Sequence, residues 1–285
     1  MKPQIVIPVA KKNIEMLKKN IFYIKKNLQP ENIYILTAQD NFGDFDDLKD
    51  EITVLDENQI IQGVTFNTIN GIIKKTSIPE KRTGWYFQQL LKMFWSFHPL
   101  CSDFYTVWDA DTFPLKHIEL FSKENKPYMH TKTEYHVAYF ETLEKLLNMK
   151  KEVDFSFISE KMTFSKKIMQ ELLNEISKAE VQGNSAIEKI IFAASMSSNE
   201  LGFSDFETYG TYVHYKYPDF YQIQNIKSYR NAARYVGLKP NKCDLALLGR
   251  FFDTASFEKW DIPKKWFVPF FKIAAFLSYP FNRNL

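Results

Sequence analysis

Phe104-Tyr105-Thr106-Val107-Trp108 is an apolar, β-branched and aromatic run that stops abruptly at Asp109-Ala110-Asp111-Thr112, two carboxylates one residue apart. Such a run reads as a buried strand, and the carboxylates mark the point where it leaves the core. Because side chains alternate along a strand, Asp109 and Asp111 are expected to point the same way, as two hard oxygen ligands for one Mg²⁺ or Mn²⁺. That ion would bridge to a nucleotide's diphosphate. The same pair also reads as two solvated loop residues, and a three-residue pattern does not choose between them. The strand in front supplies the context, since open α/β sheets place ligands at the carboxyl ends of their strands.

The segments before the pair suit such a sheet. Gln4 to Val9 reads as a first buried strand, and Lys11 to Leu28 as a helix with apolar residues at Ile14, Leu17, Ile21, Ile24 and Leu28. Asn32 to Thr37 and Glu51 to Asp56 read as second and third strands, each ending in a polar residue. Alternating strands and helices predict an α/β fold with a mostly parallel, Rossmann-like sheet flanked by helices. With 285 residues and 45% hydrophobic content the chain can bury the core this requires. Further on, Lys126 to Thr131 is expected as a strand, Tyr139 to Met149 as a helix, and Asp154 to Phe164 as a strand or strand pair. Helices are expected from Ser165 to Ile176 and from Asn184 to Ala194.

Several side chains stand where such a fold would use them. Asp56, at the end of the third strand, suits a ribose or base contact, and equally a helix N-cap before Glu57-Asn58. Trp85 to Phe97 predicts an amphipathic helix capped by Thr83 or Gly84, with Trp85, Gln88, Gln89 and Lys92 about a turn apart and Arg82 just ahead. That arrangement suits a diphosphate cradle or a solvated polar face. His130 and His136 are candidate ligands or hydrogen-bonded structural residues. Ser204 is expected to cap a helix whose first turn holds Asp205 and Glu207; both carboxylates complement the macrodipole there, and one is a candidate general base.

Lys264 to Tyr279 is strongly apolar, too short to span a bilayer, and bordered by Lys264, Lys265, Lys272 and Arg283 as well as Trp266 and Tyr279. It reads as a helical basic and aromatic tail lying in a membrane interface, or docked on the core or a second subunit. A net charge of +3, without a long basic stripe, argues against nucleic acid as a partner. Cys101 and Cys243 have no disulfide or zinc-site spacing and fit a reducing cytoplasm. Without an apolar leader after Met1, the expected location is cytoplasmic, peripheral on the inner face of the cytoplasmic membrane.

Arg82 with Gly84 to Met93, Val107 to Thr112, Tyr135-His136 with Tyr139-Phe140-Glu141, and Phe203 to Gly210 occur in an order that resembles GT-A nucleotide-sugar glycosyltransferases, in particular those building bacterial lipopolysaccharide or capsule. The resemblance covers residues 1 to 220. It implies a GT-A domain over 1–255, with a nucleotide-binding half at 1–125 and an acceptor half at 126–255, followed by an amphipathic segment at 256–285. The activity it implies is transfer of a sugar from a nucleoside-diphosphate donor, a UDP-sugar, to a glycan or glycolipid acceptor. Asp109 and Asp111 would hold the divalent ion, and Asp56, Arg82, Trp85, Gln89, Lys92 and Trp108 would belong to the donor site. Glu207 or Asp205 would be the base of an inverting displacement. Two other readings compete. Asp109-Ala110-Asp111-Thr112 also matches haloacid-dehalogenase-type phosphatases, with Asp109 as nucleophile, although three strands precede it and no Gly-Asp pair follows. A non-catalytic scaffold of glycosyltransferase type at the membrane is the third.

Overall fold

A computed structural model describes residues 2–279. The chain runs through β1 (Gln4–Pro8), α1 (Ile14–Leu28), β2 (Asn32–Thr37), β3 (Thr53–Asp56), α2 (Phe66–Ile73), α3 (Thr83–Phe94), β4 (Phe104–Trp108), β5 (Thr112–Pro114), β6 (Tyr128–Met129) and α4 (Val137–Leu147). It continues through β7 (Lys161–Ser165), α5 (Lys166–Ser177), α6 (Ala186–Ser195), α7 (Asp205–Lys216), β8 (Gln222–Ile223), β9 (Ser228–Tyr229), α8 (Ala233–Val236), α9 (Lys242–Gly249), β10 (Thr254–Ser256) and α10 (Val268–Ser278).

The central five-stranded sheet has the order β3-β2-β1-β4-β7. β1, β2, β3 and β4 are parallel, and β7 pairs antiparallel with β4 over Phe104↔Ser165 to Trp108↔Lys161. Every residue of β1 is buried, as a strand covered on both faces requires. The fold is therefore mixed α/β with a parallel-dominated sheet flanked by helices, as the alternation of elements predicts. On one face α1 presents Ile14, Leu17, Ile21, Ile24 and Leu28 to the core together with Ile5, Ile7 and Trp108. On the other, α3 to α7 pack around Val6, Tyr105 and Val107. The chain steps outward from β1 to β2 and β3, then returns to place β4 on the opposite side of β1. The gap between the carboxyl ends of β1 and β4 is thus the point where strand order reverses.

A second sheet, β5-β10-β9, brings residues near the end of the chain back to the carboxylate pair. β10 pairs antiparallel with β5, and the Phe257 N–H donates to the Asp111 carbonyl at 3.0 Å. β10 runs through position 255, so the chain on either side of it belongs to one strand.

Local capping follows the sequence in two places: the Ser165 and Ser204 hydroxyls accept from the Ile168 and Glu207 N–H groups. Elsewhere the boundaries move. α3 begins at Thr83 after a 3₁₀ turn, with no side-chain cap, and ends in a second 3₁₀ turn at Trp95–Phe97. Residues 154–160 are irregular except for the Lys132↔Ser156 bridge, and the strand begins only at Lys161. Hydrophobic content made that whole stretch read as extended, yet its aromatic residues pack as a loop against α7. There Gly210 leaves room for the Phe157 ring, which a Cβ would meet at 2.2 Å.

α10 packs on α9 and α8, with Lys272 paired to Asp244. Trp266, Phe270, Ile273, Phe276 and Leu277 remain exposed. Arg283, part of the basic border of this segment, lies outside the described residues. Among the described residues no helix is long and apolar enough to cross a membrane.

Candidate active site

Asp109 and Asp111 do not alternate on one strand. β4 ends at Trp108, and the pair sits on a tight turn closed by the Thr112 N–H donating to the Asp109 carbonyl at 3.1 Å. A further bond from the Asp109 N–H to the Glu160 carbonyl, 2.9 Å, ties the turn to the approach of β7. Both residues nonetheless line one cleft of about 480 Å³, together with Pro8 and Ala10 at the carboxyl end of β1. The cleft is the crevice at the reversal of strand order.

The charges are coupled through Lys92. Its amine donates to Asp109 Oδ1 at 3.1 Å, lies 3.8 Å from Asp205 Oδ2 and sits 4.5 Å above the Phe206 ring. Burial alone would lower the pKa of this amine; the carboxylates of Asp109, Asp205 and Asp111 outweigh it and raise the pKa. For Asp205 burial also dominates, opposed by Lys92 and reinforced by Asp109, and its pKa rises to about 6. Burial and then the Asp109 charge push Asp111 up to about 6. The site therefore holds carboxylates poised to take up either a proton or a cation.

Arg82, Trp85 and Gln89 also line the cleft, as the helix at Trp85 predicts. Arg82 is not free: its guanidinium clasps Glu200, with Nε donating to Oε1 at 2.7 Å. Gln89 is a bracket for α7. It accepts from the Asp205 N–H at 2.7 Å and donates to the Phe203 carbonyl at 3.4 Å. Lys92, expected in the donor site, lines the cleft and pairs there with protein carboxylates.

Five expected residues lie away from the cleft. Asp56 caps a 3₁₀ turn by accepting from the Asn58 N–H at 3.0 Å and lines a separate pocket beside β3 with Gln39 and His98. Trp108 is wholly buried, its indole N–H donating to the Thr112 carbonyl at 2.6 Å. Glu207 is turned toward Ser156, whose hydroxyl donates to Oε2 at 2.6 Å, and burial raises its pKa. His130 is buried against Gln224, with burial holding its pKa well below the usual value, and His136 sits against Tyr139 outside the cleft.

Tyr139, from the start of α4, lines the cleft as well; conversely, the cleft includes Arg230, Glu258 and Trp260, which the sequence does not single out. Arg230 Nε donates to Glu258 at 2.9 Å and its other end holds Glu134. Burial raises the Glu258 pKa to about 7, against the pull of Arg230 and with the help of Asp111 and Asp109. These residues reach the cleft only through the β5-β10 pairing, a long-range contact without a local signature.

Among the described residues no group of three or more His, Cys, Asp or Glu side chains is arranged to hold a metal ion. Two hard carboxylates alone suit Mg²⁺ or Mn²⁺, which commonly take one or two protein carboxylates and complete their shell with phosphate oxygens and water. Burial, and after it the Asp109 charge, disfavours the bare Asp111 carboxylate, and a pair of two carboxylates lining an open cleft fits an ion arriving with a phosphate ligand.

Fold and site together define an α/β protein with a cleft at the reversal point of an open parallel-dominated sheet, lined by the Asp109/Asp111 pair and by basic side chains. Residues 9–237 match DUF6492, described as a family of unknown function, and the chain belongs to that family. A comparison with curated proteins gave no match. Among solved structures it is similar to mouse xyloside xylosyltransferase 1 (10% identity, 92% of this chain and 99% of that one, TM-score 0.44). It is likewise similar to the galactosyltransferase LgtC, solved with donor and acceptor sugar analogues (10% identity, 96% and 95% covered, TM-score 0.44). For WbbM, a bifunctional glycosyltransferase, the figures are 12% identity, 93% and 47% covered, and a TM-score of 0.44. At these scores the likenesses carry no functional weight.

Proposed function

We propose that this protein is a glycosyltransferase that moves a sugar from a nucleoside-diphosphate donor, a UDP-sugar, to a hydroxyl of a glycan or glycolipid such as lipopolysaccharide or capsule. The observation that carries this reading is the Asp109/Asp111 pair at the carboxyl end of β4, opening into the crevice between β1 and β4. Mg²⁺ or Mn²⁺ bound to the pair and to the diphosphate would offset the charge on the leaving group.

The chain's own residues divide the remaining work. Lys92 holds Asp109 and Asp205 at fixed separation from one buried point. Of the two candidate bases Asp205 is the one that lines the cleft. In a single inverting displacement the acceptor oxygen bonds to the anomeric carbon as the bond to the diphosphate oxygen breaks, and the acceptor proton passes to the Asp205 carboxylate. Arg82, freed from Glu200, is placed to meet phosphate at the mouth. The exposed apolar face of α10, with Lys264 and Lys265 beside it, is read as a contact with the cytoplasmic membrane surface where a lipid-linked acceptor is met.

Asp111→Asn tests this reading. It should abolish Mn²⁺-dependent donor binding in calorimetry while thermal unfolding shows an intact fold. Unchanged donor affinity in that variant sinks the proposal, and turnover of an aryl phosphate without nucleotide points to the phosphatase instead.

A further inference from the structure

We propose that Trp260 is the platform on which the donor's nucleobase stacks; this inference rests on the nucleotide-sugar reading above. Trp260 is 72% exposed, and it still lines the same cleft as Asp109 and Asp111. It is not on a loose end. The Phe257 N–H bonds the Asp111 carbonyl at 3.0 Å, the Asp261 N–H bonds the Glu258 carbonyl at 3.1 Å, and Arg230 anchors Glu258 from below. Between these points the Lys259 amine donates to the carbonyl of Lys12, just beyond the carboxyl end of β1. A large ring is thus held open to water on a strap fastened on both sides. Burying such a ring against the core would have been the more favourable outcome for folding alone.

The position along the cleft selects the part of the ligand. Asp109 is linked through Lys92 to Asp205 on α7, which marks the end where the sugar reacts. Asp111 is linked through its carbonyl to the strap, which reaches toward the β1–α1 connection. A diphosphate held at the pair then directs its sugar toward Asp205 and its nucleoside toward Trp260. A flat indole suits a base because every nucleobase offers a π-face, and loss of a stacking aromatic costs affinity without altering phosphate binding.

The test is calorimetric titration of the full chain with UDP, GDP and inorganic pyrophosphate in the presence of Mn²⁺, for the parent protein, Trp260→Ala and Trp260→Phe. The expected result is a loss of about tenfold in nucleoside-diphosphate affinity for Trp260→Ala, unchanged pyrophosphate affinity, and recovery of most of the loss in Trp260→Phe. Equal nucleotide affinity in the parent and Trp260→Ala overturns the stacking role alone. An equal loss for pyrophosphate overturns it too, since the strap would then act structurally. Should the parent bind neither nucleotide, the nucleotide-sugar reading falls with it. Should Trp260→Ala lose binding to anionic liposomes while keeping nucleotide affinity, the ring serves the membrane and the stacking role is overturned.

Discussion

Asp205 and Glu207 share one helical turn and one capping serine, yet only Asp205 reaches the cleft. The sequence makes them equivalent because both satisfy the same N-terminal preferences; the Ser156 hydroxyl and the Lys92 amine separate them. Asp205→Asn is therefore expected to lower kcat by at least about a hundredfold, as loss of a general base does, with donor affinity nearly retained. Glu207→Gln should keep most of the turnover, and steady-state kinetics on the two variants decides between them. The ionised forms of Asp205 and Asp111 are the working ones, and both have pKa values raised to about 6. Hence kcat/KM should fall as pH drops through about 6, which a pH–rate profile reads directly. A further residue-scale effect concerns Lys161, fully buried 5.3 Å from the Trp108 ring, with no hydrogen-bond partner for its amine among the described residues. Burial lowers its pKa to about 7. The unfolded chain then binds more protons than the folded one between about 7 and the ordinary lysine value, so this group's penalty is full below about 7 and is relieved as pH rises. Lys161→Met should stabilise the fold at neutral pH by about 1 kcal/mol or more, with the gain shrinking toward pH 10 in denaturant titrations.

At the scale of elements, β1 to β4, α1 and α3 were legible because each is a local pattern, a buried run for β1 and β2 and a 3.6-residue spacing for α1, whereas the stretch between Asp56 and Arg82, broken by Gly63, Gly71 and Pro79, reads as a loop and holds α2. The carboxylate pair was legible for the same reason, although its geometry was not. Which side chains a turn presents depends on the bond between Thr112 and Asp109 and on Glu160, far away in sequence. Arg230, Glu258 and Trp260 carried no signal at all, since β10 finds β5 across more than a hundred residues. The loop at Phe157 was misread as extended for want of its partner, Gly210. That contact is testable, because Gly210→Ala drives a methyl group into the ring and should cost roughly 1–3 kcal/mol by thermal or denaturant unfolding. α10 offers the complementary case of an apolar face left uncovered. Phe270 and Phe276, 66% and 72% exposed, are expected to bind the membrane surface, so Phe270→Glu with Phe276→Glu should abolish sedimentation with anionic liposomes while leaving the melting temperature unchanged.

For the whole molecule, the sheet reversal point, the acidic pair and the clasped Arg82 make a single cleft whose electrostatics are incomplete without ligand. The two carboxylates alone are too few to hold a divalent ion tightly, and a donor diphosphate alone would meet Asp109 and Asp111 as like charges. Ion and donor should therefore bind cooperatively. The decisive measurement is a thermal-shift screen of UDP-, GDP-, CMP- and dTDP-sugars, each with and without Mn²⁺, on the parent chain and on Asp111→Asn, since a ligand that binds only the folded state raises the unfolding temperature. One donor class should stabilise the parent strongly with Mn²⁺ and weakly without it, and the variant should lose that difference. No stabilisation by any donor, or the same shift with and without Mn²⁺ in both proteins, would contradict the assignment of this cleft to a nucleotide sugar.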